Sequence, residues 1–324
     1  MSRQIRVGII GCAAIAKRAL APAFSAHQAF ELASIASRTP EKAMEFAAPY
    51  KAYPCSYDEL VDSDDIDLVY CPLPTGLHHE WVKKCLLAGK HVLCEKSLGS
   101  TYDEVNDLVD VAREHGLFLM ESFQFRFHAQ NLFVKRQIEE GTIGPIRQVV
   151  VRFGIPPFPE GAANIRYSSE LGGGALLDNG AYTVKAATYL FGPDIQVLAA
   201  VKGGETDVLG GVDLTGAIMM RTRDGVPIHT AYGFDHFYQN GYEIWGVDGK
   251  ITTTRAFTAR EDFAAPVIIE TAQGRTEHAF RDDHFARLLD YVAKSISSGD
   301  FTSEYEECLN QARIIQDVCK EAWS

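Results

Sequence analysis

Short apolar strands alternate with helical segments through the first half of the chain, and this alternation limits the fold more than any other feature. The predicted strands are 5–10, 31–36, 66–71, 92–95 and 117–120. Strands that alternate with helices at this rhythm form a parallel, doubly wound sheet. The alternation stops near residue 123. We therefore predict an α/β Rossmann domain over residues 1–123.

Closely spaced strands dominate the rest of the chain after a helix at 131–140, and two helices close the chain. The predicted strands are 146–153, 196–201, 212–221, 226–234, 242–247, 251–255, 267–271 and 276–280, and the closing helices are 283–298 and 304–322. This order predicts an α+β domain over residues 124–324 with a large, mainly antiparallel, open-faced sheet. Because large exposed apolar faces are unusual on monomers, we expect a homodimer or homotetramer through this sheet.

A tight glycine turn joins the first strand to the first helix, and its residues are Gly11, Cys12, Ala13, Ala14 and Ile15. A strand, a glycine turn and a helix start in this order are typical of dinucleotide binding. Alanines replace two glycines of the formal motif, but their small side chains still let a pyrophosphate approach the backbone amides. A small-residue turn without a ligand is the alternative.

The end of the second strand distinguishes between the two nicotinamide cofactors. An acidic residue there would hold the ribose 2′-hydroxyl of NAD, but the chain has Ser37 and Arg38, with Lys42 one turn into the next helix. An arginine beside a hydroxyl suits a 2′-phosphate. We predict NADP(H), with NAD(H) as the alternative cofactor and a solvated arginine as the structural alternative.

Two further strands end in residues that strand packing does not require. Residues 92–94 lead directly into Glu95 and Lys96, and ligands bind at this edge of a doubly wound sheet. A lysine there can meet a substrate, although it could also simply open a solvated loop. Strand 66–71 is followed by Pro72, Leu73 and Pro74, and the two prolines fix an extended turn that could form a wall of the cofactor site. His78 comes next, and it could be a cofactor contact or an ordinary helix residue.

A glycine run at 172–174 approaches a second stretch that carries chemistry, and we expect it to be flexible. Asp178 and Tyr182 follow, four residues apart, so they share one face of a helix near its start. A carboxylate and a phenol on one face can hold a sugar hydroxyl and pass a proton. The alternative is an aspartate favoured by the helix dipole and a tyrosine in the core.

Composition narrows the class of protein. The net charge of −12 argues against a nucleic-acid partner, since phosphate backbones need a basic face. The seven cysteines are scattered and form no CxxC pair, so we expect reduced thiols rather than disulfides or a metal site. No apolar run approaches the ~20 residues of a membrane span, and no signal peptide is evident. We expect a cytoplasmic protein.

Together these segments resemble the glucose–fructose oxidoreductase/inositol dehydrogenase (Gfo/Idh/MocA) family, most closely its NADPH-dependent nucleotide-sugar 3-ketoreductases. The resemblance rests on residues 11–13, 36–38, 72–74, 95–96, 155–157, 165–167, 172–182, 240–243 and 257–258. It implies that the second domain binds substrate and forms the oligomer. It also implies an NADP(H)-dependent oxidoreductase that reduces a 3-keto nucleotide sugar by hydride transfer. An aldose or dihydrodiol dehydrogenase, or a catalytically silent NADP-binding regulator, are the alternatives.

The resemblance also implies roles for particular residues. Lys96 matches the motif lysine, Tyr182 the acid, and Asp178 the carboxylate beside nicotinamide and substrate. The implied cofactor contacts also include Tyr57, Pro72, Leu73, Pro74, His78, Glu95, Lys96 and Arg166, and the implied substrate contacts are Lys96, Arg166, Asp178, Tyr182, Tyr238 and Thr258.

The chain departs from the family at Ser97, where Glu-Lys-Pro is usual and the bond before proline is often cis. Before serine a cis bond costs ~2.5–4 kcal/mol. We therefore expect a trans bond there, or else a strained cis bond.

Overall fold

Two sheets organise residues 3–158, 164–203 and 211–322, which are the part of the chain that the computed structural model describes. The chain divides into two units. Unit 1 comprises the residues up to Ser122 together with Phe285–Leu309, and unit 2 comprises Phe123–His284 and the residues from Asn310 onwards. No helix in the described ranges combines the length and apolar character needed to cross a bilayer.

Unit 1 contains a parallel sheet that, within the described ranges, has six strands in the order β3-β2-β1-β4-β5-β6. The strands are β1 (Ile5–Ile10), β2 (Phe30–Ala36), β3 (Tyr53–Cys55), β4 (Leu68–Cys71), β5 (His91–Glu95) and β6 (Leu119–Ser122). The helices between them are α1 (Ala21–Ala26, after a π-helical turn Ala16–Leu20), α2 (Pro40–Ala47), α3 (Tyr57–Asp62), α4 (His78–Leu87) and α5 (Tyr102–His115). The strand order reverses direction between β1 and β4, where doubly wound sheets bind ligands. The predicted Rossmann fold is confirmed.

Unit 2 contains a second sheet, which in the described residues has eight strands in the order β14-β13-β12-β11-β7-β10-β9-β8. The strands are β7 (Ile146–Gly154), β8 (Ile195–Gly203), β9 (Thr215–Thr222), β10 (Pro227–Gly233), β11 (Gln239–Gly246), β12 (Gly249–Thr253), β13 (Ala265–Thr271) and β14 (Gly274–Phe280). Strands β7 and β10 pair in parallel, and the other neighbours pair antiparallel. The predicted mainly antiparallel sheet is confirmed.

Four helices complete the regular structure of the described chain: α6 (Ala129–Glu139), α7 (Ala181–Phe191), α8 (His284–Ser298) and α9 (Thr302–Ala322). Helix α8 after His284 and the first part of α9 belong to unit 1, and a buried tyrosine attaches α9 there. The Tyr305 hydroxyl contacts the carbonyls of Ala112, on α5, and Leu117. Contacts of this kind join residues far apart in the sequence, so a local pattern does not reveal them.

The two faces of the unit 2 sheet differ in exposure. On β9, Ile218 and Met220 are buried, whereas Met219 between them is 43% exposed. Trp245 on β11 and Val201 on β8 are also exposed. Alternating burial along a strand places one set of side chains in the core and leaves the other set outward. The sheet therefore has one packed face and one face that carries exposed apolar side chains.

The buried histidine at the start of α8 predicts acid sensitivity. Burial, reinforced by the nearby His128 ring 5.5 Å away, lowers the pKa of His284 to about 4, although Asp283 and Asp282 oppose the shift. At pH values between the ordinary histidine pKa and the lowered pKa of His284, the unfolded chain binds a proton at this residue that the folded chain does not. Stability should therefore fall by roughly 1–3 kcal/mol as pH drops from about 6.5 to about 4. Denaturant unfolding at a series of pH values should show this slope.

His284→Gln should flatten the slope, and His229→Gln, at a partly exposed position on β10, should leave it unchanged. An unaltered slope in His284→Gln would show that other groups cause the acid sensitivity.

Candidate functional site

The glycine turn after β1 is closely packed. Gly11 has a φ of +114°, and a Cβ there would lie 2.7 Å from Cδ2 of Leu73. Only glycine fits both the backbone and the space. Leu73, from the turn predicted to form a wall of the cofactor site, thus lies against the glycine turn. The Cys12 thiol contacts the carbonyl of Lys42 at 3.7 Å. The residues between the turn and the π-helical turn are Cys12, Ala13, Ala14 and Ile15, of which Ala14 is exposed.

A cavity of about 490 Å³ opens beside the end of β2, and Ser37, Arg38, Tyr57 and Trp81 are among its lining residues. The Tyr57 and Trp81 rings meet edge to face with centroids 4.9 Å apart. Burial raises the pKa of Tyr57, and the Arg38 guanidinium opposes that shift by its charge and by hydrogen bonding. The cavity therefore brings together two residues that were predicted separately, Arg38 and Tyr57.

Trp81 and Lys84 belong to the same region but were missed from the sequence. The Lys84 ammonium lies 4.0 Å above the Trp81 ring. Both residues lie on α4, where a helical pattern does not distinguish a cavity-lining aromatic side chain from a surface one. Lys42, which was predicted to approach the phosphate, is exposed on α2.

Buried side chains hold the segment around Lys96 on several sides. The Tyr70 hydroxyl donates to the Glu95 carboxylate at 2.8 Å, and the Leu98 N–H donates to the buried Glu121 carboxylate at 3.0 Å. Burial, then the Glu95 charge, raises the pKa of Tyr70. Lys96, partly buried, therefore follows a strand end whose backbone and carboxylate are fixed by the core.

The peptide bond between Lys96 and Ser97 is cis, which is the second of the two geometries expected from the sequence and not the trans bond named first. The contacts around it explain why local preference does not decide the geometry. The Ser97 carbonyl lies 2.8 Å from Nδ1 of the buried His78, and the next residue is held by Glu121. Tertiary contacts on both sides of a residue can override the intrinsic preference of its backbone.

His78 connects this segment to the turn after β4. Its Nε2 lies 2.7 Å from the Leu73 carbonyl, opposite the contact of Nδ1 with Ser97. Burial lowers the pKa of His78, which favours the neutral ring. The Cys71 and Cys94 thiols lie within 4.8 Å of a ring nitrogen. Since both nitrogens already face backbone carbonyls, this buried group is a structural link rather than a ready metal site.

In unit 2, the glycine run positions Arg166 beside Asp178. A Cβ on Gly173 would lie 2.4 Å from the Arg166 carbonyl, and the Gly174 N–H donates to that carbonyl at 2.9 Å. These glycines permit close backbone packing, and the expected flexibility stays a prediction. Arg166 Nε donates to the Asp178 carboxylate at 2.5 Å.

Asp178 and Tyr182 lie on consecutive helical segments. Asp178 belongs to a π-helical turn, Leu176–Gly180, and Tyr182 lies in the first turn of α7. The predicted continuous helix start is present, but its first turn is wider than an α-helical turn. The Asp178 side chain is 19% exposed and paired with Arg166.

Tyr182 lies in an aromatic cluster and is 6% exposed. The rings of Phe123, Phe125, Phe153 and Phe257 have centroids 5.2–6.0 Å from its own. Its hydroxyl accepts a hydrogen bond from Gln124 Nε2 at 3.3 Å. Tyr182 is thus a core residue by packing, with a polar contact at its hydroxyl. No sequence pattern indicates Gln124.

Tyr238 and Thr258, the predicted substrate contacts, are brought together by a residue that was not predicted. The side-chain nitrogen of buried Asn240 donates to the Tyr238 hydroxyl at 3.0 Å and to the Thr258 hydroxyl at 2.6 Å. Lys96 belongs to unit 1 and Tyr182 to unit 2. Their convergence on one substrate atom stays a prediction.

Comparisons with known proteins cover both units. Residues 5–123 match the GFO_IDH_MocA model, described as an oxidoreductase family with an NAD-binding Rossmann fold, and residues 132–252 match the GFO/IDH/MocA C-terminal domain. The chain is 40% identical over 324 residues to the dTDP-3,4-didehydro-2,6-dideoxy-α-D-glucose 3-reductase of Actinomadura kijaniata, across 98% of this chain and 95% of that protein. It is 32% identical over 325 residues to D-xylose 1-dehydrogenase (NADP(+)) 2 of Haloferax volcanii, across 97% and 96% of the two chains.

A solved structure shows the same architecture. The crystal structure of a 3-ketoreductase from Actinomadura kijaniata in complex with NADP and TDP-benzene has a TM-score of 0.93 to this structure and 39% sequence identity, across 99% of this chain and 98% of that one.

The adjacent residues His78 and His79 provide a matched test of the link between the two loops. We expect His78→Ala to lower the free energy of unfolding by about 2–4 kcal/mol, because it leaves buried carbonyls without their partner and opens a cavity. His79 contacts Asp107 at the surface, at 2.6 Å, and its side chain is 37% exposed. His79→Ala should therefore cost less than about 1 kcal/mol. Equal losses in denaturant unfolding would contradict a structural role for His78.

Proposed function

Because the chain belongs to the GFO/IDH/MocA family of oxidoreductases, we propose that it is an NADP(H)-dependent enzyme that reduces a 3-keto nucleotide sugar by hydride transfer. The observation that carries the proposal is the 40% identity to a named sugar 3-reductase over nearly the whole chain, in a sequence that has both proposed reacting side chains, Lys96 and Tyr182. A relative named for nucleotide-sugar reduction, aligned over nearly the whole chain, favours this substrate class over a free sugar.

The residues of unit 1 fit NADP(H). Gly11 lets the turn pack closely against Leu73, because a methyl group there would clash with it, and the backbone amides of such a turn can bind a pyrophosphate. Arg38 and the half-buried Tyr57 face a cavity large enough for a nucleotide portion, and the Ser37 hydroxyl lies at its edge. A planar guanidinium binds phosphate through paired hydrogen bonds, which suits the 2′-phosphate that distinguishes NADP from NAD.

When bound, NADPH supplies the hydride, and the chain's own side chains manage the charge and the proton. In the proposed reaction Lys96 stabilises negative charge as it develops on the substrate oxygen. Tyr182 then donates the proton that converts this oxygen into a hydroxyl. The core contacts around Glu95 and Leu98 keep the lysine segment in place without reorganisation.

Arg166 and Asp178 are proposed to orient the reactants. Their ion pair, with Nε and carboxylate 2.5 Å apart, holds the Asp178 carboxylate in one orientation near the start of α7. A fixed carboxylate can accept a hydrogen bond from a sugar hydroxyl and so select one ring orientation. This role needs the pair intact, because breaking it would leave a partly buried charge.

A second candidate function is oxidation of a free aldose. It is favoured by the 32% identity to an NADP(+)-dependent D-xylose 1-dehydrogenase over nearly the full chain. The same Lys96 and Tyr182 could act in that direction, with the phenolic oxygen accepting the proton. Comparing turnover on free aldoses and on keto nucleotide sugars separates the two candidates.

We also propose a cytoplasmic homodimer or homotetramer. All seven cysteines are free thiols, which supports a reducing compartment. Exposed Met219, Trp245 and Val201 on the sheet of unit 2 support burial of that face against a second copy. Homo-oligomers bury such faces symmetrically.

Two substitutions test the reacting side chains. We expect Lys96→Ala and Tyr182→Phe each to lower turnover of a 3-keto nucleotide sugar by ~10² or more, because each removes charge stabilisation or proton donation. Steady-state oxidation of NADPH measures this. Lys83→Ala, at an exposed lysine paired with Asp107, is the matched control and should keep full activity. A folded Lys96→Ala with near-normal turnover would refute the assignment.

A third substitution tests the cofactor. We expect Arg38→Ala to lower the ratio of kcat/KM for NADPH to that for NADH by roughly 10²-fold, because a charge-assisted pair with the 2′-phosphate is lost. Arg18→Ala, at an exposed position on the π-helical turn, should leave the ratio unchanged. Equal use of both cofactors by the wild type would remove the basis for NADP.

A further inference from the structure

An exposed arginine at the end of β12 forms a cluster that the proposed reaction does not use. The Arg255 guanidinium lies 4.2 Å from the centre of the Tyr238 ring and 5.7 Å from that of Phe263. Its backbone has a φ of +57°, an uncommon conformation for a residue other than glycine. In this cluster the Arg255 guanidinium lies over the Tyr238 ring, and Arg255 as a residue is exposed.

A buried amide fixes the polar edge of this cluster. Asn240 donates to the hydroxyls of Tyr238 and Thr258, and its oxygen accepts from the Phe257 N–H at 2.9 Å. The two hydroxyls lie 3.3 Å apart. Because one side chain holds all three groups, Tyr238 and Thr258 present a preorganised pair of hydroxyls beside the Arg255 cation.

Arg255 differs from neighbouring arginines in the same unit. Arg152 pairs with Glu243, Arg166 with Asp178, and Arg260 with Asp262. No carboxylate in the described part of the chain forms an ion pair with Arg255. In a chain of net charge −12, a fixed cation without a carboxylate partner is a local site for an anion.

The cluster is connected to Tyr182 through one residue. The Phe257 ring packs against Tyr182 with centroids 5.7 Å apart, and Thr258 follows Phe257 directly. The cluster and the proposed proton donor thus both adjoin Phe257 in unit 2.

We propose that Arg255, with the hydroxyls of Tyr238 and Thr258, binds the diphosphate of a nucleoside diphosphate sugar whose keto group lies at Tyr182. This assignment rests on the proposed function and specifies its substrate class. A guanidinium recognises phosphate oxygens through paired hydrogen bonds, and hydroxyls donate to the oxygens that remain. The stack on Tyr238 holds the guanidinium plane so that less freedom is lost on binding.

Binding of dTDP tests the site, with dTDP as the probe for the nucleoside diphosphate. Titration calorimetry on the full chain with NADPH present should give a Kd at least ~10-fold higher for Arg255→Gln than for the wild type. Arg255→Lys should lose less, because it keeps the charge but not the planar fork. The Kd for NADPH should stay unchanged in both. Both variants keep a side chain with a Cβ at the positive φ of residue 255. Differences in affinity between them therefore report on the charged end of the side chain.

Arg260→Gln is the matched control, since Arg260 is exposed, close in sequence and already paired with Asp262. In steady state with a keto nucleotide sugar, Arg255→Gln should raise KM with kcat changed less than about threefold. The assignment is overturned if Arg255→Gln binds dTDP like the wild type, or if Arg260→Gln loses as much affinity.

The outcomes also distinguish this site from the proposed reaction. A wild type that reduces a free keto sugar with NADPH but does not bind dTDP overturns the diphosphate site and leaves the reductase function in place. A wild type that binds dTDP through Arg255 but turns over no keto sugar supports the site and overturns the reaction.

Discussion

The buried imidazole of His78 is the contact on which the cofactor half of the structure depends. It lies between the carbonyls of Leu73 and Ser97, at 2.7 and 2.8 Å. Leu73 packs against the glycine turn, and Ser97 follows the lysine of the proposed reaction. One side chain therefore fixes the spacing between the turn proposed to bind phosphate and the segment that carries Lys96. Two carbonyl partners favour a protonated ring, but burial opposes the charge and lowers the pKa. The tautomer then decides which carbonyl receives the hydrogen bond.

Charge is arranged locally rather than across the whole surface. The chain has a net charge of −12, and several arginines are neutralised by a specific carboxylate, as in Arg152–Glu243 and Arg166–Asp178. Arg38 and Arg255 instead lie beside aromatic side chains, Tyr57 and Tyr238. An aromatic neighbour orients a guanidinium without neutralising it. This difference is the basis for proposing separate phosphate sites at Arg38 and Arg255 in an acidic protein.

The sequence predicts what depends on local pattern. The alternation of strands and helices predicted the first sheet, and the closely spaced strands after residue 123 predicted the second. The end of β2 pointed to Ser37 and Arg38, because a parallel strand delivers its last residues to the ligand edge. Strand β3 was missed, since three residues that include a proline make no periodic signal. The sequence left the bond before Ser97 open between trans and cis, because the contacts around it come from His78 and Glu121, which are distant in sequence.

The side chains that support the site were harder to predict than those proposed to react. Gln124, Asn240 and Trp81 have ordinary positions in the sequence, and their roles arise only when distant segments pack together. The glycines at 172–174 were recognised, but their purpose was not, because close approach to the Arg166 carbonyl cannot be distinguished from flexibility in a sequence.

The surroundings of Tyr182 bear on how a phenol could serve as an acid. Aromatic rings enclose it, and they hold the phenol in one position within the core of unit 2. Gln124 donates to the phenolic oxygen, a bond that does not use the phenol's own proton. The phenol can therefore keep this bond and still offer its proton to another group. Packing and one amide donor thus give the proposed acid a fixed position without occupying its proton.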